Sequence, residues 1–429
     1  MTKDELISKH KQYIFKCVTT YYKDPLVIDH AKNQYIWDLD GRQYLDFLGG
    51  IVTISVGHAN DKVTAKIKAQ IDRVQHCSTL FITEALVALA EKLAQIAPGK
   101  LEKCYFTNSG TEANEVAVLT ARMATGNYEI LGLRHGYSGH SQLAKALTGM
   151  HTWRKAGVIP YGITTVPGPY CYRCPYALTY PNCDLHCAKD VENVVQTGTN
   201  GQVAGMICET IQGLGGVVVP PPGYFKIVTN IVRNYGGLFI ADEVQTGFGR
   251  TGKKWFGIEH WEVEPDFITC AKGLANGVPV GATITRPEIA DAFKGLTIST
   301  FGGNPVTCAA AKATIDLIEE ERLMDNAHAT GTRFRHGLEI LKEKYAAIGD
   351  VRGMGLMQGM ELVKDRKTKE PATDLANQIL ERTRTNGLIV GKGGLFGNVI
   401  RMSPPLNIAK ADIDQALALL DKSFAEATA

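Results

Sequence analysis

Residues 238–247 read Leu238-Phe239-Ile240-Ala241-Asp242-Glu243-Val244-Gln245-Thr246-Gly247. Four apolar residues ending in two acids describe a short strand buried on both faces that delivers a carboxylate at its carboxyl end. The same form recurs along the chain as CYFTN (104–108), EILGL (129–133), GMICE (205–209) and DFITC (266–270), with helix-length stretches between the runs. Short apolar runs alternating with helices predict an α/β fold with a mostly parallel central sheet covered by helices. In such a sheet ligands bind beyond the carboxyl ends of the strands, so the polar residues that close these runs are the place to look for chemistry.

Outward from this centre the pattern changes. Residues 34–47, QYIWDLDGRQYLDF, hold two aromatic and apolar runs around Asp40-Gly41, a hairpin signal. Amphipathic helices are predicted over 61–74 and 82–97, the second stopped by Pro98-Gly99. Beyond Leu296 a long helical region leads to GDVRGMGLMQGMEL (349–362) and KGGLFGNVIRMSPPL (392–406), which read as a smaller α+β unit. The expected division is an N-terminal segment of a small domain (1–60), a large domain (61–305) and a C-terminal small domain (306–429).

The chain has 429 residues, 45% of them apolar, and a net charge of +2, with its basic residues dispersed rather than clustered. Such a chain has no footprint for nucleic acid. The charged start, Met1 to Lys11, has no apolar core of signal-peptide length, and no apolar run is long enough to span a bilayer. A cytoplasmic protein without a membrane partner is the expectation.

Three places carry chemistry. Phe106-Thr107-Asn108-Ser109-Gly110-Thr111-Glu112-Ala113-Asn114 joins a strand to a helix, and small residues at a helix N-terminus suit a phosphate. The plainer alternative is a helix capped by Ser109 or Thr111. Asp242 ends a buried strand, where a carboxylate calls for a cation or strong donors. Lys272 closes the run Phe267-Ile268-Thr269-Cys270-Ala271-Lys272 and either reaches solvent or serves as an amine nucleophile of lowered pKa.

Taken together, NSGTEAN, ADEVQTGFGRTG, AKGLANGVPVGA, TFGGNP and IRMSPPL resemble the class III, ornithine and 4-aminobutyrate type aminotransferases of the fold type I pyridoxal phosphate superfamily. The resemblance covers nearly the whole chain. It implies a large cofactor-binding α/β domain and a smaller α+β domain built from the N- and C-terminal segments. Lys272 would be the Schiff-base lysine and Asp242 the partner of the pyridine nitrogen. Gly110 and Thr111 would hold the phosphate, with Ser109 and Glu209 also in the cofactor site. Tyr137 would stack on one face of the ring and Val244 on the other, and Gln245 would reach the ring hydroxyl. Thr300 resembles the threonine that binds the phosphate of the neighbouring subunit's cofactor, which implies a homodimer or higher homo-oligomer with shared sites. Arg401 resembles the arginine that grips the substrate α-carboxylate.

Two departures bear on substrate. Leu214 stands where many relatives have a glutamate that pairs with this arginine, so Arg401 should be permanently available and ω-amino donors disfavoured. Ser138 replaces the histidine usual after the stacking aromatic. The C-terminal segments look closest to the alanine–glyoxylate branch, which implies amino transfer from an alanine-like donor to a short 2-oxo acid such as glyoxylate or pyruvate. The same branch includes lyases acting on amino-alcohol phosphates, the alternative reading, and racemases and decarboxylases share the scaffold. A cofactor-free binding protein is disfavoured because Lys272 and Asp242 are both intact.

Six of the ten cysteines are scattered and read as small buried residues. Cys171, Cys174, Cys183 and Cys187 form C-x2-C-x8-C-x3-C in an insert at 169–188. That spacing could hold zinc or an iron–sulfur cluster, although zinc pairs are usually further apart. Reduced thiols are the reading preferred.

Overall fold

A computed structural model describes residues 1–155 and 161–428. The predicted 61–305 unit contains 156–160 and the predicted 306–429 unit ends at 429, and these residues lie outside the description.

The centre is a seven-stranded sheet in the order Lys103–Thr107, Gly281–Thr285, Phe267–Cys270, Leu238–Asp242, Gly205–Glu209, Ile130–Leu133, Ile163–Val166. Only Gly281–Thr285 runs against its neighbours, and it separates Lys103–Thr107 from the rest. All five strands expected from their apolar runs are present; Ile163–Val166 and Gly281–Thr285 are additional. Strands Gly205–Glu209, Phe267–Cys270 and Gly281–Thr285 are buried at every position, which is why they lack the alternation of a half-exposed strand.

Helix starts are set by polar caps. Asn60 Oδ1 accepts from Lys62 N and Val63 N ahead of Asp61–Arg73, Thr83 caps Glu84–Ile96, and Asn304 caps Pro305–Glu320, whose first residue is a proline with no N–H to leave unsatisfied. The first two helices fall where the sequence pattern puts them.

Two four-stranded sheets flank this centre. In one, the hairpin Tyr35–Asp38 and Gln43–Asp46 turns through Gly41 at φ +77°, and Leu388–Ile389 pairs parallel to Gln43–Asp46, so the two ends of the chain share a sheet. In the other, Ile348–Met354, Met357–Leu362, Val399–Met402 and Gly391–Gly393 are antiparallel throughout. The cysteine insert docks on this second sheet: Tyr170 Oη and Arg173 Nε both donate to the buried Glu361 carboxylate, which also meets Arg352 at 2.9 Å. No helix among the described residues is long and apolar enough to cross a membrane.

Candidate active site

The carboxyl ends of the parallel strands deliver their polar residues to one edge of the sheet. Glu209 and Asp242 end neighbouring strands as direct register partners, and Asp242 in turn lies opposite Thr269. Lys272 follows the Thr269 strand, while Tyr137 and the Gly110 helix follow two others. Together Gly110, Thr111, Asn114, Tyr137, Ser138, Gly139, Glu209, Asp242, Val244, Gln245 and Lys272 line one cavity of about 200 Å³.

At its floor, Asp242 Oδ2 accepts from Asn114 Nδ2 at 2.9 Å and Oδ1 from Val244 N at 3.1 Å. Asn114 is fixed from behind by Thr269 Oγ1, which donates to its Oδ1 at 2.7 Å. Two donors leave part of a carboxylate's accepting capacity free toward the cavity. Burial pushes Asp242 up from its usual range, partly offset by Asn114, Val244 and Lys272. Lys272 is pulled down by burial, with Asp242 and Glu209 opposing. Its backbone is held at φ +45°, a conformation costly for a residue with a Cβ and frequent at functional sites.

Glu209 is pushed up to about 7 by burial first and by Asp242 second. Its two oxygens accept from Tyr137 N and Gly213 N, each at 2.8 Å, so one side chain fixes both the aromatic wall and the loop leading to Leu214. The half-buried Tyr137 ring rests edge-on against Trp153, centroids 5.7 Å apart.

Two glycines permit the close packing here. A Cβ on Gly110 would come within 2.9 Å of Val244, and one on Gly139, at φ +132°, within 2.3 Å of Thr111 Oγ1. The loop after Tyr137 therefore lies directly over the start of helix Gly110–Thr125, where Gly110 and Thr111 line the cavity at the positive end of the helix, an arrangement suited to an anion.

Not every expected residue joins this cavity. Ser109 caps the helix, its Oγ accepting from Glu112 N at 3.2 Å and donating to Glu112 Oε2 at 3.0 Å, and it adjoins the cavity-lining Gly110 without lining the cavity itself. Thr300 is exposed and outside the cavity of its own protomer. Gln245 is in the cavity, but its Oε1 accepts from Arg401 at 2.7 Å, which ties Arg401 to the site. Asn114 is a site residue that the sequence reading quoted without a role; its signal was its place at the end of NSGTEAN.

The four insert cysteines, all free, line a separate cavity of about 20 Å³ with His186. Among the described residues no three His, Cys, Asp or Glu side chains are grouped so as to hold a metal ion, so the spacing does not become a preformed metal centre. Burial and the neighbouring thiols push Cys187 up to about 11, which keeps it protonated.

Comparison with known proteins agrees with this geometry. The family model described as "Aminotransferase class-III" matches residues 19–424. Alanine–glyoxylate aminotransferase 2 homolog 2, mitochondrial, of Arabidopsis thaliana is 42% identical over 424 residues, covering 99% of this chain and 88% of the relative. A leucine/methionine racemase of Thermococcus litoralis is 40% identical over 431 residues, covering 99% and 96%. The solved structure of an amine transaminase from an uncultivated Pseudomonas species, described as PLP-bound, superposes with a TM-score of 0.90 at 32% identity, covering 96% of this chain and 98% of that one. A lysine and an aspartate at adjacent strand ends, an anion cradle and a full-length family match have one common explanation: the chain belongs to the class-III aminotransferases, a family of pyridoxal-phosphate-dependent enzymes.

Proposed function

We propose that this enzyme holds pyridoxal phosphate on Lys272 and moves an amino group from an alanine-like amino acid to a short 2-oxo acid such as glyoxylate or pyruvate. One observation carries the substrate half of the reading: among the described residues Arg401 is a buried guanidinium that forms no salt bridge. Among the described residues its only side-chain hydrogen bond goes to the neutral Gln245 and its Nε has no partner, and burial disfavours its charge. A buried cation with spare donors beside a reactive cavity suits a substrate carboxylate. Leu214 offers no acid at that position, and Glu209 acts on Arg401 without forming a salt bridge among the described residues.

The cavity fits the cofactor on its own chemistry. Asp242 keeps accepting capacity for a ring N–H, Tyr137 and Val244 offer two walls, and the helix start with Thr111 offers donors for a phosphate. When bound, pyridoxal phosphate supplies a sink for the electron pair released as the substrate Cα–H bond breaks. Lys272 Nζ would be the cofactor's covalent attachment point and, as a free amine, the base that takes the substrate Cα proton and delivers it to the second carbon of the proton shift. Its lowered pKa keeps more of the amine neutral, the form that can accept. Asp242 holds the proton on the ring nitrogen, and Arg401 fixes the carboxylate so that the Cα–H faces Lys272.

The same proposal takes the active unit as a homodimer. Thr300 stands beside the exposed Leu296, Ile298 and Phe301, an apolar surface suited to a second copy that would carry Thr300 to the partner's cradle. A cytoplasmic location belongs to the proposal and is checked by cell fractionation; the plant relative's name says mitochondrial.

Racemisation is a second reading with its own support, the 40% identical Thermococcus racemase. Both reactions begin with the same deprotonation. A panel of amino donors with pyruvate and glyoxylate separates the readings. Amino transfer that depends on a keto acid is expected; loss of optical activity without keto acid consumption would mean a racemase, and phosphate release from an amino-alcohol phosphate would mean a lyase.

A further inference from the structure

Arg250 is the largest of the fully buried side chains, and no carboxylate lies within salt-bridge distance of it among the described residues. An unpaired buried charge is costly, so its retention calls for a role beyond filling space. Its NH1 donates to two backbone carbonyls, Leu356 O at 3.2 Å and Pro404 O, while Leu356 N donates back to Arg250 O at 3.1 Å.

Those two carbonyls occupy related positions. Strands Met357–Leu362 and Val399–Met402 are antiparallel, with Gly359 opposite Arg401 and Gln358 opposite Met402. Leu356 immediately precedes the first of these strands, and Pro404 lies two residues beyond the end of the second. Arg250 therefore ties together the two segments that flank this ladder at one end, each three residues from the Gly359–Arg401 pair. The contact between the units is tight: a Cβ on Gly355, at φ +52°, would come within 2.6 Å of Arg250 O and 2.5 Å of the Thr251 carbonyl carbon. Five residues before Arg250 on the same loop is Gln245, which receives the Arg401 guanidinium, and Asp242 begins that loop.

We infer that Arg250 is a positioning residue for substrate recognition: by clamping the ladder that carries Arg401 to the loop that carries Asp242 and Gln245, it sets the separation between the carboxylate grip and the reactive lysine. The inference rests on Arg401 being the carboxylate site, as proposed above. A planar guanidinium suits the task, because two donors in fixed geometry can bridge two strands. Looseness in Arg401 penalises only substrates that use it, so the effect is selective.

The test follows the first half-reaction of the cofactor-loaded enzyme with alanine and with a carboxylate-free primary amine, in wild type, Arg250→Met, Arg250→Lys, Arg401→Ala and the Arg250→Met/Arg401→Ala double variant. Arg250→Met should raise the half-saturating alanine concentration by about tenfold while leaving the amine reaction within about twofold, and should add nothing to Arg401→Ala, the non-additivity expected of residues acting as one unit. Arg250→Lys should recover part of the loss. Hydrogen exchange supplies a readout independent of turnover and of the methionine variant's folding: in Arg250→Lys, residues 399–404 should exchange faster while 238–242 stay as protected as in wild type. Equal losses on both donors, additive losses in the double variant, or unchanged exchange at 399–404 would overturn the role of Arg250. If Arg401→Ala itself spares alanine, the carboxylate reading fails instead, and the exchange result still decides whether Arg250 holds the ladder.

Discussion

Asn114 Nδ2 donates to Asp242 Oδ2 at 2.9 Å, joining the helix that forms the anion cradle to the strand that supplies the acid. Neither residue is free to turn, because Thr269 Oγ1 holds the Asn114 carbonyl and Val244 N holds the second Asp242 oxygen. Removing the amide as Asn114→Ala leaves a buried carboxylate short of one donor, a change that typically costs about 1 to 3 kcal/mol. Cofactor affinity and turnover should both fall by roughly tenfold. Dialysis against cofactor and steady-state kinetics would measure this; wild-type values in both would show that Asp242 needs no support from Asn114.

Lys272→Ala should reduce turnover by at least about a thousandfold, because the residue is both the attachment point and the proton carrier. The fold should survive, and so should part of the cofactor affinity, since the cradle, Tyr137, Val244 and Asp242 are untouched. Circular dichroism and cofactor retention check the second half. Turnover near wild type would disprove the lysine assignment.

For Arg401→Ala, losing a bidentate charged contact is expected to cost about 1.5 to 3 kcal/mol, roughly tenfold to a hundredfold in kcat/KM with alanine or glyoxylate. The half-reaction of a carboxylate-free amine should change little. Paired kcat/KM values for alanine and such an amine decide the matter, and equal losses would assign Arg401 to the fold or cofactor instead.

Glu209 gives a pH prediction for the cofactor-free protein. Its folded pKa is raised from the ordinary 4.5 to about 7 by burial and by Asp242. A raised carboxyl favours folding fully below its unfolded pKa, and that contribution is lost as pH rises through the folded value. Glu209→Gln abolishes the titration, so the Tm difference between variant and wild type should shift in the variant's favour between about pH 5 and 8, then level off. Thermal unfolding across that range measures it, and a constant difference would mean that Glu209 does not titrate there.

Much of the site was legible in the sequence because its residues close apolar runs, and a strand must end where its buried stretch ends. Asp242, Glu209 and Lys272 are all visible that way. Gly281–Thr285 was missed because its small residues and alternating threonines give no strong apolar run, although every position is buried. Ile163–Val166 is short and has two threonines at its centre. The role of Asn114 depends on a bond spanning 128 residues, and that of Gln245 on one spanning 156, distances over which spacing carries no information. At Ser109 helix capping and phosphate binding favour the same residue type at the same place, and its hydroxyl is engaged here with Glu112.

The single antiparallel strand also governs how the molecule is born. Among the described residues Lys103–Thr107 pairs only with Gly281–Thr285, so at typical synthesis rates it leaves the ribosome roughly 9 to 36 s before that strand can pair with it. Through that interval the helix Gly110–Thr125 lacks one of the strands it packs against, Gly281–Thr285, and Lys272 emerges only just before that strand. A nascent chain therefore cannot attach cofactor covalently early, and its unpaired edge needs shelter from other growing chains.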